Sequence, residues 1–248
     1  MIPKIIHYCW LSDNPIPYKL KDCIATWRKY LPDYEFFLWD KTRFDIHSVK
    51  WVEQAYEAQK YAFASDYIRL YALYRYGGIY LDMDMEVLKP FDLSIFTHGL
   101  NWGLDENGDI EAAFVAAIPN KNPVLLEMMR KYEKMNFINE DGEYNMIVAN
   151  YFVQEILKEY GYERGNPKIQ VLENVDVQLF PCDYFNCRSL ISGDLLLSEN
   201  SYCIHWHTIL WADWKTKLIN WLRIKMLVPL LGLKNYKRIF LKSRFKYK

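Results

Sequence analysis

Residues 4–39 switch their apolar pattern twice, and that switch limits the fold more than any other feature of the chain. Residues 4–10, KIIHYCW, form a β-branched and aromatic run that follows a proline, the pattern of a buried strand. Leu20, Cys23, Ile24, Trp27 and Leu31 then recur at helical spacing until Pro32 stops them. Residues 34–39 return to an aromatic-rich strand. Strand, helix, strand in so short a span is a βαβ unit, which requires a parallel sheet with a right-handed crossover. Ligands of such sheets lie beyond the carboxyl ends of the strands, where Trp10 and the Trp39-Asp40 pair fall.

Downstream, residues 55–76 carry a helical period through Phe63, Tyr67, Leu70, Tyr71 and Tyr74, predicting one long helix closed at Gly77-Gly78. Residues 79–86 alternate and predict one strand. Ile79, Leu81, Met83 and Met85 lie on one face of it, with Tyr80, Asp82, Asp84 and Glu86 on the other. Strand and turn segments around Asn101-Trp102-Gly103 and residues 112–118 lead to a helix after Asn122-Pro123. Residues 144–160 read as a further helix ended by Gly161, and short strands are expected at Val171, residues 175–177, 195–197 and 201–204. The fold class is α/β, one domain over residues 1–214 with an extension over residues 215–248.

With 248 residues, 51% of them hydrophobic and 17% aromatic, the chain can bury a core and is not disordered as a whole. Its net charge of zero conceals a division. Residues 215–248 hold eleven Lys and Arg and no Asp or Glu, leaving 20 basic against 31 acidic residues in the first 214. Five cysteines without zinc-like spacing read as buried free thiols of a reducing compartment. The N-terminus is too short and too aromatic for a signal peptide, and residues 218–233 are interrupted by Arg223, Lys225 and Pro229. A cytoplasmic protein is expected.

Chemistry concentrates in two places. Asp82 and Asp84, two apart on an extended strand, would point the same way about 7 Å apart and could share one hard divalent cation; a solvated strand end is the alternative. Asp66 and Arg69 lie one helical turn apart, as an i,i+3 ion pair or as holders of sugar hydroxyls. Near the C-terminus His205-Trp206-His207 follows a strand-like run and offers imidazole as a third ligand, His205 being favoured over His207. Asp105-Glu106-Asn107 is an acidic turn after Trp102-Gly103.

Ser65-Asp66-x-x-Arg69-x-x-x-Leu73-x-x-x-Gly77-Gly78-x-Tyr80-x-Asp82-x-Asp84 resembles the signature of the DXD-containing glycosyltransferase sugar-binding-region family. That family includes bacterial capsular polysaccharide and lipopolysaccharide glycosyltransferases, with the yeast initiating α-1,6-mannosyltransferase and clostridial glucosylating toxins as relatives. Ile2-Pro3-Lys4-Ile5-Ile6-His7-x-x-Trp10 and Pro32-Asp33-Tyr34-Glu35 with Trp39-Asp40 match the bacterial members as well, and the resemblance runs to about residue 130. It implies a GT-A-type Rossmann-like nucleotide-binding sheet flanked by helices and a retaining transfer, dependent on Mn²⁺ or Mg²⁺, of a hexose or N-acetylhexosamine from a nucleotide-sugar, UDP-linked by preference. It also implies donor contacts from His7, Trp10, Trp39, Ser65, Asp66, Arg69, Tyr80 and Asp82, with Asp66, Arg69, Asp82 and Asp84 at the catalytic centre. Asp84 ligates metal directly in this reading, Asp82 contacts ribose and metal-bound water, and Asp105 and Glu106 lie on the acceptor side.

The extension mixes Trp214, Leu218, Trp221, Leu222, Tyr236, Ile239 and Phe240 with its cations, the composition of helices that lie in a membrane interface. An anionic membrane at the inner face of the plasma membrane, and a saccharide acceptor on a lipid diphosphate, are the expected partners; a nucleic-acid partner is not expected. Two other functions fit less of the pattern: a two-carboxylate phosphohydrolase or nuclease, and a non-catalytic nucleotide-sugar-binding module.

Overall fold

The computed structural model describes residues 1–120, 122–208 and 214–241. The βαβ unit is present as expected: β1 (Ile5–Cys9), α1 (Tyr18–Tyr30) and β2 (Glu35–Trp39), with β1 and β2 parallel. α2 (Lys50–Glu57) and α3 (Tyr61–Tyr76) follow, then β3 (Gly78–Leu81) and β4 (Met85–Val87). Next come β5 (Leu100–Leu104), β6 (Ile110–Ala117), α4 (Pro123–Glu133) and α5 (Ala149–Lys158). β7 (Gln170–Leu172), β8 (Val177–Phe180), the short α6 (Cys182–Phe185) and β9 (Cys203–His205) complete the part before residue 208. Seven strands form one mixed sheet in the order β2-β1-β3-β6-β5-β8-β7, and β4 pairs with β9 in a separate antiparallel ribbon.

Helices cover both faces of the large sheet, and an apolar layer fills each side. One layer gathers α2, α3, α4 and α5 around Trp51, Trp102 and Tyr132; the other packs α1 and α6 around Trp27, Phe114 and Phe185. Four tryptophans, Trp27, Trp39, Trp51 and Trp102, are among the largest fully buried side chains. This is the α/β class expected, a seven-stranded sheet flanked by helices.

Five expectations are corrected. The single helix over residues 55–76 is two helices, because the chain turns at Gln59 with φ 57°. The apolar period runs on across that turn because Trp51 bridges it, its indole N–H donating to the Phe63 carbonyl at 2.9 Å. The strand over residues 79–86 is broken in the middle: the Met85 amide donates to the Asp82 carbonyl at 2.9 Å, a turn that moves the chain from the large sheet to the small ribbon. Alternation cannot detect such a turn when both flanking segments are extended. The helix over residues 144–160 begins only at Ala149, and Tyr144 instead bridges to Ile138. Of residues 195–197, Leu195 alone makes a bridge, with Arg188, and residues 173–175 are a 3₁₀ turn.

Residues 214–241 are mostly helical: α7 (Trp214–Leu222) passes into a π-helical turn, Arg223–Leu227, and two short turns to Tyr236. Val228 and Tyr236 pack there on Ile191. No helix among the described residues is long and apolar enough to cross a membrane. All five cysteines are free. Lys242, Arg244, Lys246 and Lys248, and the Phe240 side chain, lie outside the described residues.

Candidate active site

Two glycines bring the site together. Gly77 ends α3 at φ +64°, and a Cβ there would lie 2.5 Å from Pro119 Cδ; Gly78 at φ +98° would place one 2.7 Å from the Ile5 carbonyl. Only glycine fits either position, so α3 passes without a spacer into β3 beside β1. Asp66 and Arg69 on α3 are thereby set against the carboxyl end of β3. There Asp82–Asp84 turns, and the β4–β9 register pairs Met85 with His205, bringing a residue more than a hundred positions away beside Asp84.

Ligand atoms of Asp82, Asp84 and His205 all lie within 4.8 Å of one another. His205 Nε2 is 3.3 Å from Asp84 Oδ1, while the Thr208 amide and hydroxyl donate to Asp84 Oδ2 at 2.8 and 3.0 Å. Burial would raise the Asp84 carboxyl, but the facing His205 imidazolium and the Thr208 donors outweigh it and hold the acid well below the usual carboxylate range. Burial lowers His205, and Asp84 more than compensates, so the imidazole is raised. Arg69 joins the two halves of the site: Nη2 stands 3.2 Å from Asp66 Oδ1 and 3.4 Å from Asp82 Oδ1, and Nη1 donates to the Ala112 carbonyl at 2.6 Å. Its guanidinium lies over the Tyr80 ring, 4.6 Å from the centroid. Asp66 Oδ2 accepts from the Ala149 amide at 3.1 Å, placing an acid at the N-terminus of α5. Burial raises the Asp66 carboxyl to about 6 against the pull of Arg69.

These groups open on one cavity of about 370 Å³. Trp10, Ser65, Asp66, Arg69, Tyr80, Asp82, Asp84, His205 and His207 all line it. Between the two histidines it is His205 that falls in the cluster; the His207 ring lies against it, tilted by 46°, at 3.8 Å between centroids. Trp10 is half-buried, its indole N–H donating to the Asn14 carbonyl at 2.9 Å.

Four expected residues are not brought to the cavity. His7 and Trp39 are buried beneath it: the Trp39 indole N–H donates to His7 Nδ1 at 3.0 Å, and His7 Nε2 donates to the Gly77 carbonyl at 2.7 Å. Asp105 closes its own loop, accepting from the Asn107 and Asp109 amides at 2.7 and 2.9 Å. Glu106 accepts from the Ile191 amide at 3.2 Å. Glu111, Asn150 and Thr208 line the cavity without having been expected. Glu111 had a signal, an acid opening the apolar run of β6; Asn150 and Thr208 had none.

Two carboxylates and an imidazole suit a hard or borderline divalent cation. Two buried atoms at the site, Arg69 Nε and His205 Nδ1, have no hydrogen-bond partner among the described residues.

Residues 17–109 match the family model described as "Glycosyltransferase sugar-binding region containing DXD motif". The matched stretch takes in the whole Ser65–Asp84 signature. Among curated proteins, the chain is 30% identical over 140 residues to inositol phosphoceramide mannosyltransferase 3 of Schizosaccharomyces pombe, covering 55% of this chain and 38% of that protein. It is 28% identical over 142 residues to inositol phosphoceramide mannosyltransferase 1 of the same yeast, covering 54% and 44%. The chain thus spans less than half the length of these relatives. A solved structure titled "PaToxG Glycosyltransferase" superposes with a TM-score of 0.48 at 22% identity, covering 64% of this chain and 70% of that one.

Proposed function

We propose that the chain is the catalytic part of a glycosyltransferase that moves a hexose from a nucleotide-sugar to a saccharide acceptor, with a divalent cation held by Asp82, Asp84 and His205. The observation that carries this reading is the convergence of Asp66, Arg69, Asp82, Asp84 and His205, drawn from three separate segments, on one cavity. A bound cation supplies charge neutralisation for a departing diphosphate. Arg69 fixes Asp66 and Asp82 in register, so that both carboxylates reach the same space. The half-exposed Trp10 ring at the cavity wall suits stacking on a nucleobase. A phosphohydrolase or nuclease would be expected to surround the cation with further acids; here a histidine is the third ligand and Arg69 spends its charge on Asp66 and Asp82.

For the acceptor we propose a saccharide on a lipid diphosphate, in capsular polysaccharide or lipopolysaccharide assembly, with the enzyme held peripherally on the inner face of the plasma membrane. Support comes from residues 214–241, which carry no acid and leave Trp214, Ile219, Trp221 and Leu230 exposed at 69%, 66%, 54% and 82%. Apolar side chains interleaved with cations suit an anionic interface.

The test of the first proposal is a thermal-shift series with UDP- and GDP-sugars, each with and without Mn²⁺, followed by donor hydrolysis. A melting shift that needs both nucleotide and cation is expected, and turnover that persists in excess EDTA would sink the metal role. The second is tested by pelleting the full chain with phosphatidylglycerol vesicles. Binding should fall with salt and in Trp221→Glu, and equal pelleting with neutral vesicles would refute it.

A further inference from the structure

A larger cavity, of about 580 Å³, lies between α1 and the β4–β9 ribbon. Lys19, Asp22, Cys23 and Thr26, at helical spacing on α1, line one wall; Glu86, Arg188 and Trp206 line the other, and Thr208 is common to this cavity and the first. Nothing in the donor reading uses it.

Its walls are fixed. Thr26 Oγ1 donates to the Cys23 carbonyl at 2.6 Å and accepts from the Val87 amide at 2.9 Å, tying α1 to β4. Trp206, 37% exposed, is held in place from two sides. Its indole N–H donates to Glu86 Oε2 at 2.9 Å, and its carbonyl accepts from Arg188 Nη1 at 2.8 Å. The Arg188 guanidinium stands 5.6 Å from the indole centroid. Arg188 has no carboxylate within ion-pairing distance among the described residues, and burial lowers its pKa further than the nearby acids restore it. Lys19 and Asp22 likewise form no ion pair among the described residues.

A pinned, half-exposed indole offers an apolar face to the C–H side of a pyranose ring. Asp22 and Glu86 offer acceptors for its hydroxyls, and an unneutralised guanidinium beside a lysine favours a phosphate. We propose that this cavity is the acceptor subsite and takes a phosphorylated sugar. The inference rests on the glycosyltransferase reading and adds the place and chemical class of the second substrate. Thr208, which clamps Asp84 from one side and lines the acceptor cavity on the other, sets the two substrates against one wall.

The probe is α-glucose 1-phosphate, followed by saturation-transfer NMR on the full chain with UDP or GDP and diamagnetic Mg²⁺ present to occupy the first cavity. Glucose and inorganic phosphate are run separately. Glucose 1-phosphate should bind at least tenfold more tightly than either fragment, Arg188→Gln should remove that gain while leaving the weak glucose signal, and Trp206→Ala should remove saturation of the ring protons. The nucleotide-dependent melting shift of each variant reports that it is folded. Competition of glucose 1-phosphate by the nucleotide, or affinity unchanged in Arg188→Gln, would place it in the first cavity and overturn the proposal. Phosphate binding as tightly as the sugar phosphate would overturn the sugar class. Absence of the nucleotide shift in the unaltered chain would count against the glycosyltransferase reading alone.

Discussion

His7 and His205 are both buried histidines on strands, and the two ends of the site treat them in opposite ways. His7 has each ring nitrogen matched, one by the Trp39 indole and one by the Gly77 carbonyl. Burial lowers it to about 4, with the Gly77 bond opposing and Arg43 adding to the shift, so it is neutral. His205 faces Asp84, is raised rather than lowered, and keeps Nδ1 without a partner among the described residues. A polar group whose bonds are complete locks the fold around it. One that faces a carboxylate and keeps a ring nitrogen unpaired among the described residues can exchange its proton for a cation.

The sharpest way to break this contrast is at Asp84. Asp84→Asn keeps the size of the side chain but removes the charge that pairs with His205. Donor hydrolysis should fall by about 10³-fold, the scale of losing a main electrostatic contributor to a transition state, and Mn²⁺ should no longer raise the melting temperature with nucleotide. Activity within tenfold of the unaltered chain would remove Asp84 from the centre.

The linear pattern reached much of this centre because its parts are local. Asp66 and Arg69 are one turn apart, and Asp82 and Asp84 two residues apart, so a motif encodes them directly. The βαβ opening was legible for the same reason, its period changing cleanly between segments. What stayed hidden depends on turns and long-range register. The break at Asp82–Asp84 was invisible to alternation, yet it is what directs the ribbon toward His205. Glu106 and Asp105 read as free acids because nothing in the sequence announces that backbone amides, one of them from Ile191, already occupy them. His7 and Trp39 bond to each other, which spacing alone does not distinguish from bonds to a donor.

The other side of the contrast has its own pH signature. Because the His7 pKa is depressed in the folded state, the unfolded chain takes up the proton first as pH falls. Stability from this residue is complete above the unfolded value of 6.5 and is lost as pH drops toward 4. The loss amounts to about 3 kcal/mol across that window. Urea unfolding at pH 7, 5.5 and 4.5 should show it, and the slope should flatten in His7→Gln even though that variant starts less stable. An equal slope in both chains would show that His7 is not held neutral.

Trp39→Phe sharpens the same point with a smaller change. It removes the indole N–H and leaves His7 Nδ1 buried without a donor, which costs about 1–3 kcal/mol. Donor affinity, read from the nucleotide-dependent melting shift, should move by less than about threefold if Trp39 acts only through the sheet. A tenfold loss of affinity with little loss of stability would instead make Trp39 a donor contact.

Asp105→Asn has the smallest expected effect and asks whether an acid near the sheet edge serves chemistry or its own loop. Its carboxylate accepts the Asn107 and Asp109 amides through one oxygen, and burial raises its pKa, so the charge adds little to what the geometry already provides. An amide oxygen can accept the same two bonds, and the substitution should cost under about 1 kcal/mol of stability. Transfer to a saccharide acceptor should keep its KM within about twofold, since under 0.5 kcal/mol separates the two states. A tenfold rise in acceptor KM at unchanged stability would return Asp105 to the acceptor side, and would mean that the loop over residues 105–109 opens to admit the substrate.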